Sequence, residues 1–414
     1  MSIARINGFA DMFEPESTAF TFMESQCRKI FPAYGFKEVR LPVLEYTDLF
    51  ARSIGTETDV VQKEMYTFPD SKGKPTSLRP EATAGMMRAY IAASLHAREQ
   101  VSRLYTFGPM FRHERPQKGR MRQFHQIDCE LLGSSSPVAD ADVVSLLVHF
   151  VSSLGIGGLT LRMNSLGCAS CRQTYRQALI SHFEKHEAEL CEDCRRRLHA
   201  NPLRVLDCKK DRDLPCMLDA PRLLDYNCPD CLGHYETVTG LLKDAGIAFV
   251  QDDRLVRGLD YYCRTTFELQ SDAIGAQTAV AGGGRYDGLV KQLGGPDIPG
   301  IGFACGMERL ALLLGERQLQ RHDFFVVSLD PSCTAFAFKL AQNLRHAGLS
   351  GETGYGSSGM KSAMRQAGKS GARFAVIVGT DELSRGACAV KNMDQGTQEE
   401  VPADALATYI ANKD

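Results

Sequence analysis

Hydrophobic and polar positions follow two periods along the chain, and these periods separate helices from strands. Residues 17–34 place apolar side chains on one helix face, and Gly35 follows as a helix stop. Strand-like runs occupy 102–107, 110–114 and 123–132, with a polar, basic loop before the last run. This order predicts a hairpin, and therefore a sheet that is at least partly antiparallel.

The sheet pattern returns later in the chain, after a further helix. Ser136 and Pro137 are typical of a helix start, and we expect their helix to reach about Leu154. Strands are predicted at 159–165, 261–270 and 278–288, and a strand that leads into a helix at 300–314. The combination predicts an α+β core, an antiparallel sheet flanked by helices.

Changes of pattern divide the chain into three parts. The core covers 1–165 and 236–320. Residues 166–235 are charged and helical and hold eight of the 14 cysteines, which indicates an insertion into the core. Residues 322–414 alternate strands with helices, and this alternation predicts a small C-terminal α/β domain.

Composition excludes several classes of protein. A length of 414 residues fits two or three domains, and 43% hydrophobic with 24% charged residues excludes a disordered chain. The balance of 48 basic against 50 acidic residues excludes a globally basic nucleic-acid binder, although not a local basic patch. No signal-peptide core and no run of about 18 apolar residues is present. We therefore expect a cytoplasmic protein, not associated with membranes, whose cysteines are reduced.

A local basic patch does occur at 112–122, which contains four arginines and one lysine but only one glutamate. The strand predicted at 110–114 places Arg112 and Glu114 on one face, because side chains alternate along a strand. A guanidinium binds phosphate in bidentate fashion, and a carboxylate accepts from an amine, so the pair suits a nucleotide. The alternative is a solvated basic hairpin.

Four shorter motifs combine glycine or proline with charged or aromatic residues. They are RPEATAG at 79–85, LVRGLDYY at 255–262, GGGRYDG at 282–288 and GMERL at 306–310. The glycine run suits a backbone that approaches a ligand closely, because glycine lacks a Cβ. Each motif also has a structural alternative, such as helix capping by Glu81 or a buried salt bridge of Arg309.

These motifs, in this order and with GFKEVRLPVLE at 35–45 and FRHERPQKGRMRQFHQ at 111–126, resemble the bacterial histidyl-tRNA synthetase family of class II aminoacyl-tRNA synthetases. The resemblance covers nearly the whole chain, and LVRGLDYY and GGGRYDG are its most specific parts. It implies a histidine–tRNA ligase that activates L-histidine with ATP to histidyl-adenylate and then charges the 3′ end of tRNA(His). It also implies a catalytic core, an anticodon-binding domain at 322–414, and a homodimer built on the segment that ends near Pro42.

The resemblance assigns a role to each candidate site residue. Arg112, Glu114 and Arg309 match the ATP-binding residues, and Mg²⁺ is expected to accompany ATP on its β- and γ-phosphates. Arg257 and Arg112 match the catalytic arginines at the α-phosphate. The residues implied in histidine binding are Glu81, Thr83, Arg112, Gln126, Glu130, Arg257, Tyr261 and Tyr262. Those implied in contact with the tRNA acceptor end are Arg115, Lys118, Arg120 and Arg122. Ala82 departs from the family pattern, which usually has glycine there.

Two questions stay open at the level of sequence. One is whether the chain is instead a non-catalytic, synthetase-like regulatory subunit of histidine biosynthesis, a protein that generally lacks LVRGLDYY and the C-terminal domain. The other is zinc. Pairs of C-x-x-C about 20 residues apart fit a tetrahedral zinc site, and Cys168, Cys171, Cys191 and Cys194 match this spacing best. The alternative is a set of reduced thiols without metal.

Overall fold

The computed structural model describes residues 3–55, 58, 60–117, 119–206, 208, 210–256, 261–275, 278–315, 321–356 and 359–413. The chain forms two compact units, Met1–Arg317 and Gln318–Asp414. The strands of the first unit are β1 Lys37–Glu38, β2 Leu44–Tyr46, β3 Thr67–Pro69, β4 Pro75–Leu78, β5 Ser102–Phe111, β6 Gln123–Leu132, β7 Leu159–Ser165, β8 Val250–Gln251, β9 Cys263–Ser271, β10 Ala279–Arg285 and β11 Gly300–Gly306.

Helices surround these strands in the first unit. The α-helices are α1 Glu16–Ile30, α2 Thr47–Ile54, α3 Thr83–Ala92, α4 Pro137–Ser153, α5 Ala169–Phe183, α6 Glu192–Ala200, α7 Leu203–Leu206, α8 Pro215–Leu218, α9 Pro229–Asp244, α10 Leu289–Gln292 and α11 Met307–Leu314. Gly35 ends the first helical segment in the left-handed region, and the Ser136 hydroxyl accepts from the Val138 N–H at the start of α4. Both termini confirm the predicted helix signals.

The central sheet of the first unit has eight strands in the order β1-β5-β6-β11-β10-β9-β7-β8. The six inner strands of this order, from β5 through β6, β11, β10 and β9 to β7, pair antiparallel. The edge strands β1 and β8 each pair parallel with their neighbour. A second, three-stranded antiparallel sheet has the order β2-β4-β3. The predicted α+β core with a mainly antiparallel sheet is therefore confirmed.

One face of the large sheet is packed and the other carries polar residues. Along β6, Ile127, Cys129 and Leu131 are buried in the main hydrophobic core, together with side chains of α1, α4 and α9. Since neighbouring strand residues point to opposite faces, Gln126, Asp128 and Glu130 project from the other face. The sheet is thus the rigid support of whatever site these polar residues form.

Two predicted boundaries need correction. Strand β5 runs without interruption from Ser102 to Phe111 and ends there, so the argument that placed Arg112 and Glu114 on one strand face is wrong. Helix α9 continues beyond residue 235, and its Val238 and Leu242 lie in the main core against α4. The described part of 166–235 is helical as predicted, but its last helix belongs to both the insertion and the core.

The second unit is built on a single five-stranded sheet. Its strands are β12 Phe324–Ser328, β13 Gly351–Thr353, β14 Phe374–Val378, β15 Ala387–Asn392 and β16 Gln398–Pro402, and its α-helices are α12 Thr334–His346, α13 Met360–Ser370, α14 Thr380–Arg385 and α15 Leu406–Asn412. The order is β13-β12-β14-β15-β16, with parallel pairing up to β14 and antiparallel pairing after it. The predicted α/β domain is confirmed.

Candidate active site

A cavity of about 380 Å³ lies over the polar face of β6, β10 and β11. Ten of the predicted site residues line it: Glu81, Thr83, Arg112, Glu114, Arg120, Gln126, Glu130, Tyr261, Tyr262 and Arg309. Glu130 faces Gly302 across the β6–β11 pair, and Gln126 faces Gly306 four residues further along. At about 3.4 Å per residue, these two positions are roughly 14 Å apart, long enough to separate two chemically different ends.

Glu130 is the centre of the first end. Its side chain is buried, and it accepts hydrogen bonds from the Thr83 hydroxyl, 2.6 Å away, and from the Tyr286 hydroxyl. Burial, and to a smaller extent the nearby Glu81, raise the pKa of Glu130 to about 8, although the two hydrogen bonds lower it. A carboxyl group in this state can exchange a proton near neutral pH, which suits a partner that titrates in the same range.

Glu81 adds a second buried carboxyl group to this end. It accepts from the Thr83 N–H at 2.7 Å and from the Ala84 N–H at 3.0 Å, and so caps the start of α3. The structural alternative considered for Glu81 is therefore confirmed, and its predicted role with an ammonium group stays a prediction. Burial raises its pKa, while the two backbone hydrogen bonds and Arg112 lower it.

Asp128 is a residue that the sequence analysis missed. It lies between Gln126 and Glu130 on the same face of β6, and the strand alternation that selected its neighbours could have found it. Burial raises its pKa well above the usual range, and Glu130 and Glu81 raise it further. Among the described residues, Asp128 Oδ2 and Gln126 Oε1 are buried acceptors without a hydrogen-bond partner. Such acceptors call for donors from a ligand.

Three tyrosines form a wall beside these acids. The rings of Tyr261 and Tyr262 lie 4.6 Å apart between centroids, and Tyr261 meets Tyr286 edge-on at 5.8 Å. Tyr286 was also missed, although it stands within the GGGRYDG motif. Tyr286 directly follows β10, and β10 pairs with β11, the neighbour of the strand that carries Glu130. The Tyr286 hydroxyl therefore reaches Glu130.

Two glycines are required by the close packing of strands β10 and β11, which form the floor of the cavity. A Cβ on Gly302 would lie 1.7 Å from Glu130 Oε2, and a Cβ on Gly283 would lie 2.1 Å from the Gly302 carbonyl oxygen. Only Gly282 of the GGGRYDG glycines lines the cavity, so the run serves strand packing as much as ligand approach. Arg285 of that motif is fully buried and pairs with Asp140, which makes it structural.

The other end of the cavity gathers positive charge. Arg112, Arg120 and Arg309 converge there, burial lowers the pKa of each, and Arg120 and Arg112 lower that of Arg309 further. Arg309 donates to the carbonyls of Ala279, at 2.6 Å, and Gly119, at 3.2 Å, so these contacts position it without neutralising it. Converging guanidinium groups that depress one another's pKa favour a bound polyanion.

The cavity is thus acidic and aromatic at one end, and three arginines converge at the other end among the carboxylates of Glu64, Glu114 and Glu308. The chain's relatives match it over nearly its full length. A family model described as histidyl-tRNA synthetase matches residues 8–310, and an anticodon binding domain model matches 323–413. The chain is 58% identical over 409 residues to a histidine–tRNA ligase of Nitratidesulfovibrio vulgaris, which covers 99% of this chain and 98% of the relative.

The chain belongs to the histidyl-tRNA synthetase family.

Two further members of the family support this membership. A histidine–tRNA ligase of Oleidesulfovibrio alaskensis is 55% identical over 415 residues, with 99% of this chain and 100% of the relative covered. The crystal structure of apo S. aureus histidyl-tRNA synthetase has a TM-score of 0.83 at 37% identity and covers 99% of this chain and 100% of its own. The ligase names and the anticodon-binding match favour a histidine–tRNA ligase over the non-catalytic regulatory subunit.

The loop that follows β5, which the family resemblance assigns to the tRNA acceptor end, divides between the cavity and the surface. Arg120 forms an ion pair with Glu114 inside the cavity, so the predicted adenine acceptor is already engaged there. Arg122 donates to the carbonyls of Glu114 and Asn7, whereas Arg115 is exposed. Lys118 and Arg257 lie outside the described residues, and their roles stay predictions.

The cysteines of the insertion are grouped differently from the prediction. Cys168 and Cys171 lie with Cys228 and Cys231, while Cys191 and Cys194 lie with Cys208 and Asp211. The set of Cys168, Cys171, Cys191 and Cys194 is therefore wrong as a single site. The reason is that α9 returns to the core beside the start of α5, which sequence spacing alone does not reveal.

Among the described residues, no helix is long and apolar enough to cross a membrane.

Proposed function

We propose that the chain is a histidine–tRNA ligase, which joins L-histidine to ATP as histidyl-adenylate and then transfers the histidyl group to the 3′ end of tRNA(His). The observation that carries the proposal is the two-ended cavity. Histidine brings an ammonium and an imidazole to be recognised by acceptors, and ATP brings a polyanion to be recognised by arginines.

The acidic end suits histidine. Glu130 would bind the imidazole, and Gln126, Glu81 and Thr83 would surround the α-amino group. Asp128, with its unpartnered buried oxygen, adds a further acceptor close by. A buried site that must form hydrogen bonds rejects analogues that lack the matching groups by up to about 10⁴–10⁵-fold.

The cationic end suits ATP. Arg112 would contact the α-phosphate, Arg309 the γ-phosphate, and Glu114 the adenine amine once Arg120 has left it. We assign to Arg257, by its match to the family motif, a contact with the α-phosphate and the histidine carboxylate. Mg²⁺ would enter with ATP, and the nearby carboxylates Glu268 and Glu308, which raise the pKa of Arg309 against burial, fit a cation at that end.

The reaction then needs positioning and charge neutralisation rather than a covalent enzyme intermediate. A carboxylate oxygen of histidine attacks the α-phosphorus, the bond to the bridging oxygen breaks, and pyrophosphate leaves. The arginines stabilise the charge that gathers on the phosphoryl oxygens. The terminal tRNA hydroxyl next attacks the histidyl carbonyl, and AMP leaves.

The partners follow from the same assignment. Arg115, Lys118, Arg120 and Arg122 would face the tRNA acceptor end, and the second unit would bind the anticodon. A homodimer is supported by the exposed apolar side chains of Val43, Leu44 and Tyr46, which follow Pro42. We place the enzyme in the cytoplasm, where its tRNA is charged for translation.

Histidine-dependent exchange of labelled pyrophosphate into ATP tests the proposal. The purified chain should catalyse exchange with L-histidine and stay at background with the other standard amino acids and with histidinol. The Glu114→Gln and Arg112→Ala variants should lose activity by about 10²-fold or more. Exchange that does not depend on histidine would overturn the proposal.

A further inference from the structure

Seven cysteines and one aspartate of the insertion form two compact clusters. We name Cys168, Cys171, Cys228 and Cys231 the four-cysteine cluster, and Cys191, Cys194, Cys208 and Asp211 the three-cysteine cluster. In each cluster the four possible ligand atoms all lie within 4.8 Å of one another. Two such clusters in one short helical segment need a common explanation.

The sulfur–sulfur distances fit a single tetrahedral ion. A zinc–sulfur bond of about 2.3 Å places tetrahedral sulfurs about 3.8 Å apart. The Sγ atoms of Cys168 and Cys171 are 3.5 Å apart, and those of Cys191 and Cys208 are 3.8 Å apart. Both distances are well beyond a disulfide bond of about 2.05 Å. Sulfur-rich tetrahedral sets of this size suit zinc.

The backbone around both clusters is arranged to stabilise thiolates. Cys168, Cys191 and Cys228 each directly precede a helix, and the second cysteine of each pair lies in its first turn. Helix N-termini favour negative charge. The Cys228 N–H donates to Cys171 Sγ at 3.1 Å, and the Cys191 N–H donates to Asp211 Oδ2 at 3.0 Å. These donors orient the ligand atoms, as expected of the groups around a metal site.

We infer that the insertion holds two structural zinc ions, one bound by the four-cysteine cluster and one by the three-cysteine cluster. Four protein ligands per ion leave no open coordination position, so the sites are structural rather than catalytic. The inference goes beyond the proposed ligase activity and does not depend on it.

The four-cysteine site fastens the two ends of the insertion to each other. Cys168 follows β7 at the exit from the core, and Cys228 stands where α9 returns to it. Next to Cys171, the Arg172 guanidinium donates to the Tyr262 carbonyl oxygen at 2.8 Å. The ion would therefore also hold the backbone of the tyrosine wall. The three-cysteine site joins only residues 191–211, within the insertion.

Zinc analysis of matched double variants tests the inference. Elemental analysis of the full chain, purified without chelator, should give two zinc ions per chain. Cys168→Ala/Cys171→Ala and Cys191→Ala/Cys194→Ala should each retain one. The control Cys333→Ala/Cys388→Ala removes two buried cysteines of the second unit and should retain two. A variant pair that leaves the zinc content unchanged overturns the site it was meant to remove.

X-ray absorption at the zinc edge keeps the inference testable where a variant fails to fold. The wild-type protein should show a first shell averaging three and a half sulfurs per zinc, with the remaining ligand an oxygen. Wild-type protein without zinc, with free thiols or with a Cys168–Cys171 disulfide, overturns both sites. A shell of nitrogen and oxygen overturns them equally.

Discussion

At the scale of single residues, Glu130 is held in place by two hydroxyl groups of the protein and is expected to bind the ligand. The Thr83 and Tyr286 hydroxyls both donate to it, and they leave lone pairs for one further donor. We expect Glu130→Gln to raise the KM for histidine by roughly 10–100-fold and to leave the KM for ATP within about threefold. The reason is the loss of a charge-assisted hydrogen bond of about 1.5–3 kcal/mol.

Steady-state pyrophosphate exchange with each substrate varied in turn makes this measurement. Glu236→Gln, at an exposed carboxylate of α9 outside the cavity, is the control and should match wild type. Equal rises in both Michaelis constants would mean that Glu130 supports the fold of the site rather than histidine itself.

The raised pKa of Glu130 has a consequence for stability. Its pKa is about 8 in the folded chain and near the ordinary value of about 4.5 when unfolded, so the folded state binds more protons between these values. The stabilisation is fully present below about pH 4.5 and is lost as pH rises through 8. The free energy of unfolding of wild type should therefore fall relative to Glu130→Gln between pH 5 and 9, by on the order of a few kcal/mol. Denaturant titrations across this range check it, and a constant difference would contradict the assignment.

Gly302 shows how little room the floor of the site has. In Gly302→Ala the new Cβ would meet the Glu130 carboxylate and the Cys129 carbonyl oxygen, 2.3 Å away. We expect loss of histidine-dependent exchange and a destabilisation of about 1–3 kcal/mol from overpacking. Thermal unfolding and exchange assays measure both effects. The control Gly240→Ala, in α9 with open space around it, should be neutral or slightly stabilising. If Gly302→Ala exchanged pyrophosphate at the wild-type rate, the floor of the cavity would be able to move to make room for the new Cβ.

Site residues could be predicted from sequence where a motif fixes their spacing. Arg112 and Arg309 belong to such motifs, the role of Glu130 follows from the family resemblance, and all three residues line the cavity. Tyr286 was missed because its importance arises from a neighbour on another element, whereas the alternation along β6 could have indicated Asp128. Tyr286 matters through its contact with Glu130, which is 156 positions away in sequence. Periodicity describes one element and carries no information on such contacts.

At the scale of elements, long periodic segments were predictable and short polar ones were not. The helix opened by Ser136 and strand β7 were correct at nearly every residue. Strand β16 and helix α14 have weak signals in the sequence, because β16 is mostly exposed and α14 is only six residues long. The pairing of cysteines also failed at this scale, since it depends on where α9 returns.

The four-cysteine cluster gives a prediction about the element it anchors. If its ion holds α5 beside the tyrosine wall, Cys168→Ala/Cys171→Ala should raise the KM for histidine several-fold. Cys191→Ala/Cys194→Ala should leave that KM unchanged, because its cluster lies within the insertion. Pyrophosphate exchange with purified, folded variants distinguishes the two. If both variants had the same KM for histidine, the four-cysteine cluster would have no specific role at the histidine end of the cavity.

At the scale of the whole molecule, the two compact units correspond to the two family matches. The histidyl-tRNA synthetase model covers 8–310 and the anticodon binding domain model covers 323–413, on either side of the boundary between the units. The change from a mainly antiparallel core to alternating strands and helices made this division predictable. The insertion boundaries were less predictable, since α9 contributes Val238 and Leu242 to the main core.

The central claim is that one cavity binds histidine at its acidic end and ATP at its cationic end. A crystal structure of the chain with a non-hydrolysable histidyl-adenylate analogue tests this claim most directly. The imidazole should lie within hydrogen-bond distance of Glu130, the phosphate analogue beside Arg112, and the adenine between Glu114 and Arg309. An analogue bound in the opposite direction, or bound outside this cavity, would contradict the account.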